Sequence, residues 1–281
     1  MGYIFPFAEQ ARVSTVNDET MSWPARSVDL PKHVDVVGVR FSAATPSQAA
    51  QTVVDLGQQK ESNGVHIHLA NAYTTVLASK DSDYKKILNG PRAICFPDGK
   101  PIAWITKLRR SGTQLTQTRG PQLFLDVFAR GQSIGLRHYL LGSTPETLER
   151  LELRLREKYP RADIVGLYSP PFSPPTREEL ENRNELLRSA KPDVVWVGLG
   201  TPKQDMEAAR IARELGLVAV AVGAAFDFAA GTVRPAPRWM SAIGLEWLFR
   251  LLSEPRRLWR RYLFGNVEFL RLALKDLRHG R

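Results

Sequence analysis

The sequence predicts an α/β protein, with a mostly parallel sheet covered by helices on both faces and a C-terminal helical appendage. Three observations predict it. The segments HYLLG (138–142), DVVWVGLG (193–200) and LVAVAVG (217–223) are apolar at consecutive positions, as strands buried on both faces are. Amphipathic helical stretches with Thr caps and early prolines alternate with such segments. After Thr232 the alternation stops and only helical periodicity remains. A length of 281 residues with 43% hydrophobic content suits a sizeable core.

The elements follow in order. Residues 1–32 show no sustained periodicity and are expected to be a loosely ordered leader. The span 33–232 is expected to form the core and 233–281 the basic amphipathic appendage. VDVVGVRF (34–41) reads as a strand, and Thr45-Pro46 opens a helix to about Leu56. VHIHLA (65–70) is a strand, followed by a helix through Val76 and Leu77 and a short one from Asp81 to Asn89. RAICFPD (92–98) is a strand before a helix over 100–109, and Pro121 to Ala129 is helical. HYLLG leads into a helix from Pro145 to Tyr159, and ADIVGLY (162–168) is a strand. Thr176 caps a helix to Ala190, DVVWVGLG leads into a helix from Lys203 to Leu215, and LVAVAVG ends in an exit loop. In the appendage, Pro255 separates two helices and Gly265-Asn266 a third.

The net charge is +10, and residues 234–281 hold eleven Lys/Arg against four Asp/Glu, or +7. That asymmetry points to an anionic partner for the appendage. The sole cysteine, Cys95, excludes an intrachain disulfide. No signal peptide or uninterrupted apolar run of membrane-spanning length is visible.

In a parallel sheet, ligands bind beyond the carboxyl ends of the strands. Four polar loops belong there: ANAYTT (70–75), PDG (97–99), GTPKQD (200–205) and GAAFDFAAG (223–231). Gly200 turns the chain, Thr201 can cap, and Pro202 suits a first helical position, so the helix start plus Lys203 favours a phosphate. A merely well-capped helix is an equal reading. Asp98 suits a general base, a sugar-hydroxyl acceptor or a metal ligand; taken alone, an Asx-type turn is simpler. His66 and His68 lack further zinc ligands and read as core or sheet residues. Asp81-Ser82-Asp83 has the form of a metal–nucleotide DxD, but Asp81 suits an N-cap. Trp247, Phe249, Trp259 and Tyr262 stand among arginines, as in helices that lie on a membrane or close over a diphosphate.

The ordered motifs PDGKPIAW, VVWVGLGTPKQD, VGAAFDFAAGTVRPAPRWM and GLEWLFRLLSEPRRLWRRYLFGN resemble the WecG/TagA/CpsF glycosyltransferases (glycosyltransferase family 26). The match runs over residues 34–275, and its motifs are specific as a set. The resemblance implies a Rossmann-like core and an inverting transferase that uses no metal and no cofactor. Such an enzyme moves a sugar from a UDP-sugar to a polyprenyl-diphosphate-linked acceptor, peripheral on the cytoplasmic face of the cell membrane. The appendage would touch the anionic membrane surface. Carried onto this chain, the family's candidate base is Asp98. Asn71, Gly200, Thr201, Lys203, Gln204 and Asp227 match its substrate-site positions, and Arg250, Arg257 and Arg260 match the arginines of its appendage.

The chain departs from the family pattern at three places. Leu69 stands where many members have Thr. In QTRGPQL (117–123), Gln117 replaces an Arg and Gln122 an Asp, with Arg119 as the replacement cation. The GPQ and KPIAW variants resemble exopolysaccharide members more than teichoic acid members. Two other readings stay open. One is a catalytically impaired UDP-sugar or lipid-diphosphate binding protein. The other is a basic membrane- or nucleic-acid-binding module; nucleic acid is disfavoured, because no known motif is present and the basic residues alternate with large apolar ones.

Overall fold

Two sheets organise the chain. The computed structural model describes residues 32–59, 64–109, 112–237, 239–240 and 244–279. The leader over 1–32 lies outside them apart from Lys32, as do the side chains of Arg257 and Arg260. The small sheet is an antiparallel pair, β1 (His33–Val36) and β2 (Val39–Ser42). The large one contains β3 (Val65–Ala70), β4 (Ala93–Pro97), β5 (Arg137–Gly142), β6 (Asp163–Tyr168), β7 (Val194–Gly198) and β8 (Val218–Ala221). Its order is β4-β3-β8-β7-β5-β6, and every pairing is parallel. The predicted α/β class, Rossmann-like and mostly parallel, is therefore the fold observed.

Alternate residues of these strands enter opposite cores, as a two-residue period requires. Val194 and Trp196 join a cluster with Val53 of α1 (Pro46–Gln58), Phe124 and Phe128 of α5 (Gly120–Gly131), and Leu151 of α6 (Pro145–Lys158). Val195 and Val197 face the other way, onto Leu187 of α7 (Arg177–Ala190) and Ile211 of α8 (Lys203–Leu215). Trp196 is fully buried, with the Phe124 ring edge-on at 4.9 Å. Its indole N–H donates to His138 Nδ1 at 3.1 Å, so the one polar atom of that ring is satisfied. Burial pushes His138 down from 6.5 to about 3, which keeps it neutral.

A third cluster joins the hairpin to α2 (Ala72–Lys80), α3 (Ser82–Asn89), α4 (Lys100–Leu108) and the last helix. Asp81 caps α3, accepting from the Asp83 and Tyr84 N–H groups at 2.9 and 3.0 Å, as its cap reading expected.

The structure corrects three elements. VDVVGVRF is not one strand: Val37 (φ 52) and Gly38 (φ 74) turn it into the β1–β2 hairpin. Positive φ at both central residues is the two-residue turn that matches strand twist. Within the expected exit loop after β8 lies a short helix, α9 (Ala225–Ala230). Helix α10 (Glu246–Ser253) ends before Pro255, but α11 (Pro255–His279) runs unbroken through Gly265-Asn266. A Cβ at Gly265 would sit 3.4 Å from the Tyr73 ring of α2. That glycine serves close helix approach rather than termination. Phe269 and Ala273, each 1% exposed, complete the seam with the third cluster.

Candidate active site

Loops that leave β3, β4, β7 and β8 meet along the carboxyl edge of the large sheet, and small residues let them touch. A Cβ on Gly99 would lie 3.9 Å from that of Asn71, and one on Gly120 would lie 3.0 Å from the Val222 carbonyl oxygen. One on Gly223 would lie 3.7 Å from Gln204 Nε2. Asn71, Asp98, Gly120, Val222 and Gln204 thus form one continuous rim.

Asp98 is the first residue past β4. Its N–H donates to the Ala70 carbonyl at 2.8 Å, which carries the β3–β4 ladder one step further. The Thr118 N–H donates to the Pro97 carbonyl at 2.8 Å and pins the other side. Gly99 then adopts φ 110 and ψ 142, a conformation close to exclusive to glycine, and α4 begins. The α4 N-cap position belongs to Gly99, which has no side chain to contribute. Across the cleft, the Gly120 N–H favours the charged form of the Asp98 carboxyl.

Three charged side chains converge on that carboxyl. Burial pushes Asp98 up from 3.8 to about 6, and the negative charge of Glu246 adds to the rise. Arg119, the Gly120 N–H and Arg250 pull it back down. Arg119 precedes α5 and pairs with Glu246 at 2.7 Å, so core and appendage are joined at the site. Arg250 lies one turn beyond Glu246 on α10. Its guanidinium stands 5.4 Å over the Phe228 ring of α9, and its Nε is buried with no hydrogen-bond partner. A buried, unpaired guanidinium nitrogen is costly unless an anion meets it.

The remaining expected residues are placed as follows. Asn71 caps α2, its oxygen accepting from the Tyr73 and Thr74 N–H groups at 3.0 and 3.2 Å. That oxygen is committed to the helix, and the amide nitrogen is the end left to meet a ligand. Gln204 is 2% exposed and braces its own loop. Its oxygen accepts from the Gly200 N–H at 3.1 Å, and its nitrogen donates to the Thr201 hydroxyl at 3.4 Å. Thr201 therefore does not cap α8; Pro202 holds the N-cap position after a cis Thr201–Pro202 bond, and Lys203 is the first helical residue. Lys203 is exposed there. The Asp227 carbonyl closes α9, accepting from the Thr232 and Val233 N–H groups at 3.0 and 3.3 Å.

Two of the departures from the family pattern have structural roles of their own. Leu69 is 6% exposed and belongs to the apolar core. Gln122 bonds Asp126 at 2.7 Å along the surface of α5, away from Asp98's contacts.

Sequence reasoning missed Glu246, Phe228 and Thr118. Glu246 lay inside a quoted motif but read as one more helical residue, because pairing with Arg119 spans 127 positions. Thr118 is 1% exposed with an unpartnered hydroxyl beside the Pro97–Asp98 segment. His66 and His68 form the first half of a buried chain. His66 Nδ1 meets His68 Nε2 at 2.7 Å, His68 Nδ1 meets Asp205 at 2.8 Å, and the Tyr84 hydroxyl donates to Asp205 at 2.9 Å. Among the described residues, no cluster of three or more His, Cys, Asp or Glu is placed to hold a metal ion. Likewise no described helix is long and apolar enough to cross a membrane.

Compared with known families, residues 34–281 match the model of the glycosyl transferase WecG/TagA/CpsF family.

Proposed function

The chain belongs to the WecG/TagA/CpsF glycosyltransferase family, and from that premise we propose a donor, an acceptor and a mechanism for it. The enzyme transfers a hexosyl or N-acetylhexosaminyl group from a UDP-sugar to a polyprenyl-diphosphate-linked acceptor with inversion, in cell-surface or exopolysaccharide synthesis. The observation that carries this reading is the convergence of Arg119, Glu246 and Arg250 on Asp98, with core and appendage each supplying a part.

In this mechanism Asp98 takes the proton of the acceptor hydroxyl. The hydroxyl oxygen forms its bond to the anomeric carbon from the face opposite UDP. The bond from that carbon to the diphosphate oxygen breaks, and UDP leaves with the electron pair. A base held near 6 is ionised at neutral pH yet basic enough to share a proton in the transition state. Charge grows on the departing diphosphate. Arg250, with its unpartnered Nε, and Arg119 are the cations that meet it, as preorganised donors do in other transfer sites. Arg257 and Arg260 belong to the same proposal. Asn71, Lys203, Gln204 with Gly200 and Thr201, and Asp227 shape the donor pocket.

The outer face of α11 supports a peripheral place at the cytoplasmic face of the membrane. Trp259, Leu263, Leu270 and Leu274 form one stripe at helical spacing and are 40–56% exposed. A neighbouring stripe with Gly265, Phe269 and Ala273 packs toward α2 and the third cluster, and Arg256, Arg271, Lys275 and Arg278 lie along the side of the helix away from it. An apolar stripe with basic flanks suits an anionic lipid interface.

The test is sugar transfer from labelled UDP-sugars to an extract of lipid-diphosphate acceptors, with EDTA present. Incorporation from one donor names it. No incorporation from any donor, with UDP binding demonstrated on the same sample, favours the impaired binding protein.

A further inference from the structure

A second cavity, of about 700 Å³, opens on the far side of the large sheet from Asp98. It lies at the amino ends of β3 and β4, between α3, the last turns of α8 and the 90–92 turn. His66, Lys85, Lys86, Arg92 and Arg213 line it, and among the described residues none that lines it is acidic. Lys86 is held by Asp83 at 2.8 Å and Arg213 by Glu214 at 3.1 Å, in exposed pairs that exchange easily with a competing anion, and Arg92 has a partner of its own.

His66 turns this basic hollow into a directional site. The residue is 8% exposed, and its Nδ1 is engaged by His68. His68 Nδ1–H donates to the Asp205 carboxylate, so His68 Nε2 is the acceptor and His66 Nδ1–H donates to it. Only His66 Nε2 remains, and a Cβ on the lining residue Gly90 would stand 4.0 Å from it. Burial, followed by His68, Arg92 and Arg213, holds His66 well below the usual histidine range, so its Nε2 is a neutral acceptor. Such a nitrogen fits a ligand that carries both negative charge and an acidic hydroxyl, or that supplies the charge to let His66 take a proton and donate.

We propose that this cavity is a second binding site, for a soluble phosphate monoester such as a sugar phosphate. The guanidinium fork of Arg213 matches phosphate oxygens, while Arg92, Lys85 and Lys86 add positive charge. The volume exceeds that of a phosphate ion, and Ser82 and Asn89 offer neutral partners to sugar hydroxyls. The His66–His68–Asp205 chain connects this site to the first turn of α8, where Asp205 follows Gln204 of the donor loop.

The experiment is NMR of the full chain labelled with ¹⁵N in its histidine rings, titrated at constant ionic strength with inorganic phosphate, with glucose 1-phosphate and with chloride. The expected result is a saturable shift of the His66 ring signals by phosphate or glucose 1-phosphate but not by chloride. Tighter binding of glucose 1-phosphate identifies a sugar phosphate as the occupant, and equal binding identifies phosphate itself. Arg92→Ala with Arg213→Ala should weaken the response at least about tenfold, the scale of one lost charge-assisted contact. An unmoved signal from buried His138 shows that the variant is folded. Saturating UDP should leave the titration unchanged. No saturable shift with either phosphate compound in the wild type overturns the proposal. So does an equal response in the folded double variant, or displacement by UDP, which would place the anion at the donor site.

Discussion

The substitution Asp98→Asn probes the site through two readouts that should move in opposite directions. In the folded protein Asp98 holds its proton up to about pH 6, whereas the unfolded chain releases it near 3.8. Between these values the folded state binds more protons, so stability falls as pH rises through the window, and the loss is complete above it. A shift of roughly two units at about 1.36 kcal/mol each sets an upper bound of about 3 kcal/mol on the cost of the charged carboxylate at pH 7.5. Asn resembles the neutral carboxyl and keeps an acceptor for the Gly120 N–H. The partial exposure of Asp98 trims the gain to on the order of 1–3 kcal/mol, or a rise of about 3–8 °C in Tm for a chain of this size. Thermal unfolding at pH 7.5 and 4.5 should show the variant more stable at both, with roughly a third of the advantage remaining at the lower pH. Transfer should be abolished in the variant. In the wild type it should fall about tenfold per unit below pH 6, as a base that must be ionised requires. A variant no more stable than wild type at pH 7.5, a stability difference that ignores pH, or retention of most activity would each refute this account.

Other outcomes follow from the same contacts. Glu246→Gln removes the anion beside Asp98 and should move the acid limb of the transfer profile down by a few tenths of a unit to about one unit; Arg119→Ala should move it up by a similar amount. Arg250→Ala should lower kcat by on the order of a hundredfold or more, with little change in Tm, since its Nε has no partner to lose. Gly99→Ala forces a Cβ into φ 110 and should cost about 1–3 kcal/mol while displacing Asp98, read as a joint fall in Tm and transfer. Phe269→Ala should cost about 3–5 kcal/mol in one cooperative transition; a separate low-temperature transition would show instead that α11 unfolds apart from the core.

The large sheet was legible because strands buried on both faces leave consecutive apolar letters, as in VVWVG over β7. The place of Asp98 at a strand end before a glycine was legible, but those letters alone favoured a turn, and its candidacy as a base came from the family resemblance. The hairpin was not, since Val37 adopts a positive φ that β-branched residues rarely take, and its N–H is satisfied only by Asp276 at 3.0 Å. Gly265 looked like a terminator because a helix-breaking glycine and a packing glycine are the same letter until Tyr73 stands opposite. Glu246 and Phe228 owe their roles to partners far along the chain. The His66–His68–Asp205 chain was hidden for the same reason: HxH was visible, but its carboxylate lies 137 positions away from His68.

The clasp between the two ends of the described chain bears on how the protein is made. Asp276 accepts from the Val37 N–H at 3.0 Å and pairs with Arg109 at 2.6 Å. Val37 and Asp276 are 239 residues apart, and at a translation rate of about 5–20 residues per second the second emerges roughly 10–50 s after the first. Over that interval the hairpin waits without its acceptor, and Asp98 stands without Glu246 or Arg250. Such distant contacts also fold slowly. Under the proposed mechanism, sugar transfer has to wait until α11 has emerged and packed against the hairpin.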